Sequence, residues 1–241
     1  MALPILEVSS LKIAVFVVCS LIILLGCAKK FTDKKASLFA MILGIYFIFF
    51  FPLYWFASLL LLYIATSFAT KQKNGDNSSD HKKGRKITNI LCNLGSALIF
   101  SGLFLLDGQP AFYLAFLCSA ACACSDTLAS EIGKLSGTRP RLITNWKEVP
   151  TGVDGAVSNL GLFAAVFGSI LTAFPAIFMQ PGSLALGFFV TASVIGFIGC
   201  NIDSFIGAMH QTKGKISNDV TNLIATLICA FLGLMIGFLV F

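Results

Sequence analysis

Residues 36–70 have the sequence ASLFAMILGIYFIFFFPLYWFASLLLLYIATSFAT, which contains no charged side chain. One continuous helix of this length would extend about 52 Å at about 1.5 Å per residue, whereas the hydrocarbon core of a bilayer is about 30 Å thick. Pro52 lies near the centre of the run, and a proline disfavours helix at the residue before it. The run therefore predicts two membrane helices joined by a tight turn.

The whole chain has the composition of a membrane protein. Of its 241 residues, 57% are hydrophobic and only 12% are charged, and the mean hydropathy is +0.89. The apolar runs are continuous rather than alternating, which argues against a β-barrel. We predict an all-α, polytopic helical bundle that forms a single membrane domain over residues 1–241, with about eight transmembrane helices and seven as the alternative. The eight predicted spans are 11–27, 36–51, 53–70, 88–106, 110–131, 155–175, 183–205 and 219–240.

The distribution of basic residues favours eight spans and sets their orientation. With two crossings between Ala36 and Thr70, 16 of the 17 Lys and Arg residues fall on one side of the membrane, and only Lys12 does not. The loops on the other side carry no Lys or Arg. The positive-inside rule makes the basic side cytosolic and places both termini on the non-cytosolic side. The polar, charged segment 71–86 is predicted to be a mobile basic cytosolic loop.

Acidic residues collect at the predicted cytosolic ends of the spans. Asp126 lies about 24 Å along the fifth span, and Asp203 lies at the end of the seventh. An ionised side chain in hydrocarbon is costly, so such groups face the interior of a bundle and have a partner. Because Mg²⁺ prefers carboxylates, water and phosphates, we predict a Mg²⁺ site at Asp126, Asp203 and Asp219, with Glu131 as a further catalytic acid. The alternative is that Asp154 and Asp219 are helix N-caps and that Glu131 is a solvated helix end.

A loop with phosphate-binding character follows the fifth span. Residues 140–161 have the sequence PRLITNWKEVPTGVDGAVSNLG, and glycines before a helix start permit backbone N–H groups to hold a phosphate, although glycines also simply turn chains. Cationic side chains nearby strengthen this interpretation. The predicted nucleotide- or phosphate-binding residues are Arg85, Asn93, Arg141, Thr144, Lys147, Gly152, Gly155 and Ser158. Other polar residues predicted at the site are Ser130, Ser204, Gln211, Asn218 and Asn222.

Three blocks of the sequence resemble a known family. These are SDTLASEIGKLS (125–136), the loop described above, and DSFIGAMHQ (203–211) followed by SNDVTN (217–222). They are similar to the domain-of-unknown-function 92 family, which includes transmembrane protein 19 and the plant and cyanobacterial phytyl-phosphate kinase. The resemblance covers about residues 85–222 and implies a catalytic core there. It also implies transfer of a phosphoryl group from a nucleoside triphosphate, preferably CTP, to an isoprenyl monophosphate.

The chain departs from the usual family pattern at four places. Leu128 replaces a Trp, and Asn145 replaces the second Thr of a Thr-Thr pair. Leu94 follows Asn93 where Gly is usual, and residues 152–156 differ from Gly-Thr-x-Gly-Gly. The acidic residues agree with the pattern.

Together these features predict a membrane-embedded, CTP-dependent prenyl- or phytyl-phosphate kinase with Mg²⁺ as cofactor. Its expected partners are CTP or another nucleoside triphosphate, an isoprenyl monophosphate and membrane lipids, and no nucleic acid. Alternatives are a CTP-dependent cytidylyltransferase acting on a lipid phosphate, a secondary transporter that uses the membrane carboxylates, and a structural membrane protein. Transporter sites usually lie near the midplane, whereas these acids lie at one face.

Overall fold

The computed structural model describes residues 9–28, 34–72, 87–180, 182–211 and 216–241, and most of them are helical. Each predicted span corresponds to one helix, so the all-α architecture is confirmed. Arg85 and all of the predicted loop 71–86 after Gln72 lie outside the described residues. The helices are α1 (Ser10–Ala28), α2 (Lys34–Phe50), α3 (Leu53–Gln72), α4 (Ile87–Asp107), α5 (Pro110–Gly133), α6 (Asn159–Ala173), α7 (Gly182–Ile206) and α8 (Asn218–Val240). A 3₁₀ turn (Phe174–Phe178) follows α6, and a π turn (Gly207–Gln211) follows α7.

Six helical segments in the described part of the chain are long and apolar enough to cross a membrane: α3 to α8, with α6 continued by its 3₁₀ turn to Phe178. The apolar parts of α1 and α2, Ser10–Leu25 and Ser37–Phe50, are shorter. The prediction of eight crossings, with both termini on the non-cytosolic side, therefore stays a prediction.

The break at Pro52 is confirmed. α2 ends at Phe50, α3 begins at Leu53, and the Trp55 N–H donates to the Pro52 carbonyl at 3.1 Å. The Trp55 ring is fully buried and packs between aromatic rings of three other segments. Its centroid lies 4.6 Å from that of Phe51, 4.9 Å from Phe104 and 4.5 Å from Tyr113. Aromatic packing therefore fills this end of the bundle.

Helix α5 forms the centre of the bundle. In the apolar 18-residue stretch of α5, 83% of the residues are buried, against 50% or less in the corresponding stretch of each of the other five candidate spans. It packs against α3, α4, α6, α7 and α8. Small residues make this possible: a Cβ at Gly196 of α7 would lie 2.7 Å from Ala121, and one at Gly233 of α8 would lie 2.7 Å from the Cys118 sulfur. Close backbone approach through small residues is a common way to pack membrane helices.

The connection between α5 and α6 contains a short β-ribbon. β1 (Arg141–Leu142) pairs antiparallel with β2 (Ala156–Val157), with Arg141 opposite Val157. The predicted start of the sixth span at residue 155 is therefore wrong, because α6 begins only at Asn159 after this pairing ends. The ribbon fixes both ends of the intervening loop next to the end of α5.

Candidate functional site

A polar cavity of about 350 Å³ lies where α5 and α7 end and where α4, α6 and α8 begin. Most of the residues that the sequence predicts for the site line this cavity. These residues are Asn93, Asp126, Ser130, Glu131, Gly152, Gly155, Ser158, Asp203, Ser204, Asn218 and Asn222. Elements far apart in the chain thus bring the predicted residues together.

Two acidic side chains from different helices meet in this cavity. Asp126 of α5 and Asp203 of α7 lie within hydrogen-bonding reach of one another, and only 7% of Asp203 is exposed. Ionised carboxylates carry acceptors and no donor. A shared proton or a cation must therefore lie between them. Glu131 lines the same cavity although it is about 140° from Asp126 around an ideal helix.

Three carboxamides connect α4 and α8 to this acidic pair. The Asn89 side-chain nitrogen lies 3.4 Å from Asp219 Oδ1, and the Asn93 nitrogen donates to the Asn89 carbonyl at 2.8 Å. The Asn222 amide lies 3.2 Å from Asn93 Oδ1. When the side-chain amide of Asn222 is rotated by 180°, which exchanges its oxygen and nitrogen, the nitrogen donates to Asp203 Oδ2 at 3.0 Å. Asn222 therefore has the position needed to orient the Asp203 carboxylate.

The structure shows that neither Asp154 nor Asp219 is a helix N-cap. The N-cap of α8 is Ser217, whose hydroxyl accepts from the Val220 N–H at 3.4 Å, and the N-cap of α6 is Ser158. The N-cap alternative is wrong for both acids. Asp154 lines the cavity, whereas Asp219 lies behind Asn89 and is not among the described lining residues. Within the described residues, no three acidic, His or Cys side chains form a closed metal site, so the role of Asp219 as a metal ligand stays a prediction.

The described cations among the predicted phosphate-binding residues, Arg141 and Lys147, do not line the cavity. Arg141 pairs with Glu148 at 3.4 Å, and both side chains are more than half exposed. Thr144 and Lys147 lie in the same loop and do not line the cavity. The lysine that lines it is Lys134, directly after α5, which is close enough for its charge to act on Asp126. Lys134 is not among the residues that the sequence predicts for the site.

Two glycines with positive φ shape the loop that covers the cavity. Gly152 has φ +93° and open space around it, whereas Gly155 has φ +76° and packs directly on α7. A Cβ at Gly155 would collide with the Ala208 backbone and with the Ser204 carbonyl. Only glycine fits such a position, because it tolerates the left-handed region and has no Cβ.

Ser158 closes the other side of this loop. Its hydroxyl donates to the Gly133 carbonyl at 3.2 Å and accepts from the Gly161 N–H at 3.1 Å. It therefore ties the end of α5 to the start of α6, besides lining the cavity. The remaining predicted residue, Gln211, ends the π turn after α7, and only its backbone is described. Turns of π type are frequent at functional sites.

Comparison with known proteins identifies the family. The model of the family described as integral membrane protein DUF92 matches residues 17–230. The chain belongs to this family. With six apolar helices of spanning length, it is a multi-pass integral membrane protein, as predicted. The match is wider than the predicted core at 85–222 and includes helices α2 and α3.

Several members of this family are similar to the chain over much of its length. An uncharacterized membrane protein of Methanocaldococcus jannaschii, MJ0933, is 29% identical over 94% of both chains. Protein VTE6, chloroplastic, of Arabidopsis thaliana is 32% identical over 66% of this chain and 50% of its own length. Protein PGR, also of Arabidopsis thaliana, is 30% identical over 67% of this chain and 66% of its own. The chain thus spans about half of VTE6. No solved structure matches this chain.

Proposed function

We propose that this protein is a membrane-embedded phosphotransferase that moves a phosphoryl group from CTP or another nucleoside triphosphate to an isoprenyl monophosphate. Its main support is the Asp126–Asp203 pair, which requires a proton or a cation and shares its cavity with Lys134. A Mg²⁺ ion held by this pair, together with Lys134, would give the cavity the positive charge that a polyphosphate needs. The resemblance in sequence supplies the expected donor and acceptor.

The residues present fit a Mg²⁺ ion. Mg²⁺ usually binds through one or two carboxylates and completes its coordination with water and substrate phosphates, so Asp126 and Asp203 are sufficient without a third acid. Because these two side chains lie within reach of each other on two helices, they would hold one ion together. Asn222 would hold the orientation of Asp203 from behind. When bound, the ion would supply positive charge to the nucleotide phosphates.

The side chains of the cavity suit a transfer that depends on positioning and charge. An oxygen of the acceptor monophosphate forms the new bond to the γ-phosphorus, and the bond from that phosphorus to the β–γ bridging oxygen breaks, which leaves a nucleoside diphosphate. The acceptor is already an anion, so no general base is needed. Lys134 would neutralise charge on the phosphates, and the loop seated by Gly155 would exclude water.

Labelled CTP tests this function directly. Purified protein in detergent with Mg²⁺ receives CTP labelled at the γ- or the α-phosphate, together with a panel of prenyl monophosphates. We expect γ-label in a prenyl diphosphate, and a loss of at least about a hundredfold in Asp126→Asn and Asp203→Asn. Asp107→Asn, an exposed acid at the opposite end of α4, is the matched control and should retain activity. Label from the α-position alone would instead establish a cytidylyltransferase, and absence of any transfer by folded protein would refute both.

A further inference from the structure

A second cavity, of about 100 Å³, lies between the α1–α2 pair and helices α3 and α4. Of the described residues that line it, all but Ser37, Tyr63 and Asn93 are apolar. Asn93 also lines the polar cavity. Two cavities of opposite chemical character therefore meet at one buried side chain, which is only 7% exposed.

The apolar cavity extends from Asn93 along the helix axes. Asn93 lies six residues into α4, near the end of the bundle that holds the acidic pair. On α3 the lining residues extend from Tyr63 to Phe56, towards the Pro52 turn at the opposite end. Seven residues of helix correspond to about 10 Å. The cavity thus runs from the polar site into the part of the protein that hydrocarbon surrounds.

The packing of the first two helices explains this space. Helices α5 to α8 pack closely on one another through small residues, whereas α1 packs chiefly on α2, and α2 in turn meets α3 and α4. The lining residues Cys19 and Ile23 of α1 and Ala40 of α2 face α3 and α4 across the cavity. The space between these two pairs of helices therefore lies outside the dense core.

We propose that this apolar cavity holds the hydrocarbon chain of the lipid monophosphate whose phosphate binds in the polar cavity, with Asn93 at the junction. The nature of the head group rests on the proposed function. A lipid phosphate needs polar groups around its charged end and apolar groups around its chain. Burial of the charge among apolar groups and exposure of the chain to water both cost free energy. The two adjoining cavities meet both requirements at once. The cavity thereby makes the length of the acceptor chain matter for binding.

Photo-crosslinking tests where the chain lies without depending on catalysis. The probe is geranyl monophosphate, whose chain is about as long as the cavity, with a diazirine at the far end of the chain; it is bound to the full-length protein in detergent and the crosslinks are mapped by peptide mass spectrometry. We expect crosslinks on α3 between Phe56 and Tyr63. Ala40→Phe, which fills the cavity, should reduce them about tenfold or more, because excluded methylene groups lose their burial. Ala14→Phe, on the exposed side of α1, should leave them within about twofold.

Three outcomes would overturn the inference. They are crosslinks on exposed faces alone, equal labelling of the Ala40→Phe and parent proteins, and equal labelling by the same probe without its phosphate, which would indicate binding of any hydrocarbon. If Ala40→Phe does not fold, Leu60→Phe replaces it at the same cavity. Correct crosslinks without transfer of label from CTP would refute the proposed function and leave the chain site standing. Normal transfer of label, with unchanged crosslinks in the variants that fill the cavity, would refute the chain site and leave the proposed function standing.

Discussion

At the scale of single residues, the contact between Asp126 and Asp203 lowers the stability of the protein in the absence of a cation, although the proposed function requires it. Without a cation, two adjacent carboxylates either repel each other as ions or share a proton, and both states cost free energy at neutral pH. In Asp203→Asn the new amide nitrogen can donate to Asp126, so we expect the melting temperature in EDTA at neutral pH to rise by about 2–4 °C. Thermal unfolding in detergent measures this, and Asp107→Asn should show no change. A lower melting temperature for Asp203→Asn would show that the contact between the two acids does not destabilise the protein in the absence of a cation.

The same pair predicts how stability responds to Mg²⁺. An ion that binds only the folded protein stabilises it in proportion to the logarithm of its concentration. Titration of Mg²⁺ should therefore raise the melting temperature of the parent protein, with a much smaller rise in Asp126→Asn and Asp203→Asn. Asp107→Asn should behave as the parent does. An equal rise in all four proteins would show that the ion acts elsewhere.

The choice between Lys134 and Lys147 is a second question at this scale. Both side chains are exposed, but of the two only Lys134 lines the cavity. A hydrogen bond to a charged group contributes about 1.5–3 kcal/mol, so Lys134→Gln should raise the KM for the nucleotide about ten- to a hundredfold. Lys147→Gln should change it less than about threefold. Steady-state kinetics with labelled CTP measures the KM of both variants. A larger rise in KM for Lys147→Gln than for Lys134→Gln would favour Lys147 as the phosphate-binding lysine, as predicted from the sequence.

At the scale of elements, the loop between β1 and β2 is held in place by its contact with the end of α7 and the π turn after it. Gly152→Ala and Gly155→Ala both place an alanine at positive φ, which costs about 1–2 kcal/mol. Only Gly155→Ala adds a collision, with the Ala208 backbone and the Ser204 carbonyl. We therefore expect Gly155→Ala to lower activity at least about tenfold more than Gly152→Ala. Transfer assays on both variants, with their melting temperatures, check this, and equal losses would mean that the contact with α7 is unimportant.

The elements also show what the sequence could predict. The helices follow from local properties, since each apolar run is long enough to cross hydrocarbon and Pro52 interrupts the longest of them. The start of α6 was missed because it depends on pairing between Arg141 and Val157, which are separated by a whole loop. Asp126 and Asp203 were predicted because an acid inside an apolar helix is conspicuous. Lys134 was not selected because only the packing of α4 to α8 shows which cation lines the cavity.

At the scale of the whole molecule, the two ends of the bundle have opposite characters. Aromatic rings around Trp55 close the end near Pro52, whereas the other end holds the polar cavity and the loop above it. Every described residue that lines the polar cavity lies on the side that the basic residues mark as cytosolic. A water-soluble nucleotide would therefore reach the site from one side of the membrane only.

This orientation predicts which loops a membrane-impermeant thiol reagent reaches. Gly137→Cys lies in the open connection after α5, and Gln109→Cys lies at the opposite end of that helix; both positions are exposed. In intact cells, a maleimide should label Gln109→Cys and should label Gly137→Cys only after permeabilisation, because basic loops stay in the cytosol. The unsubstituted chain gives the background, which should be small since most of its described cysteines are buried. Labelling of Gly137→Cys in intact cells would reverse the orientation and place the phosphate site outside the cytosol, where nucleoside triphosphates are scarce, which would weigh against the proposed donor.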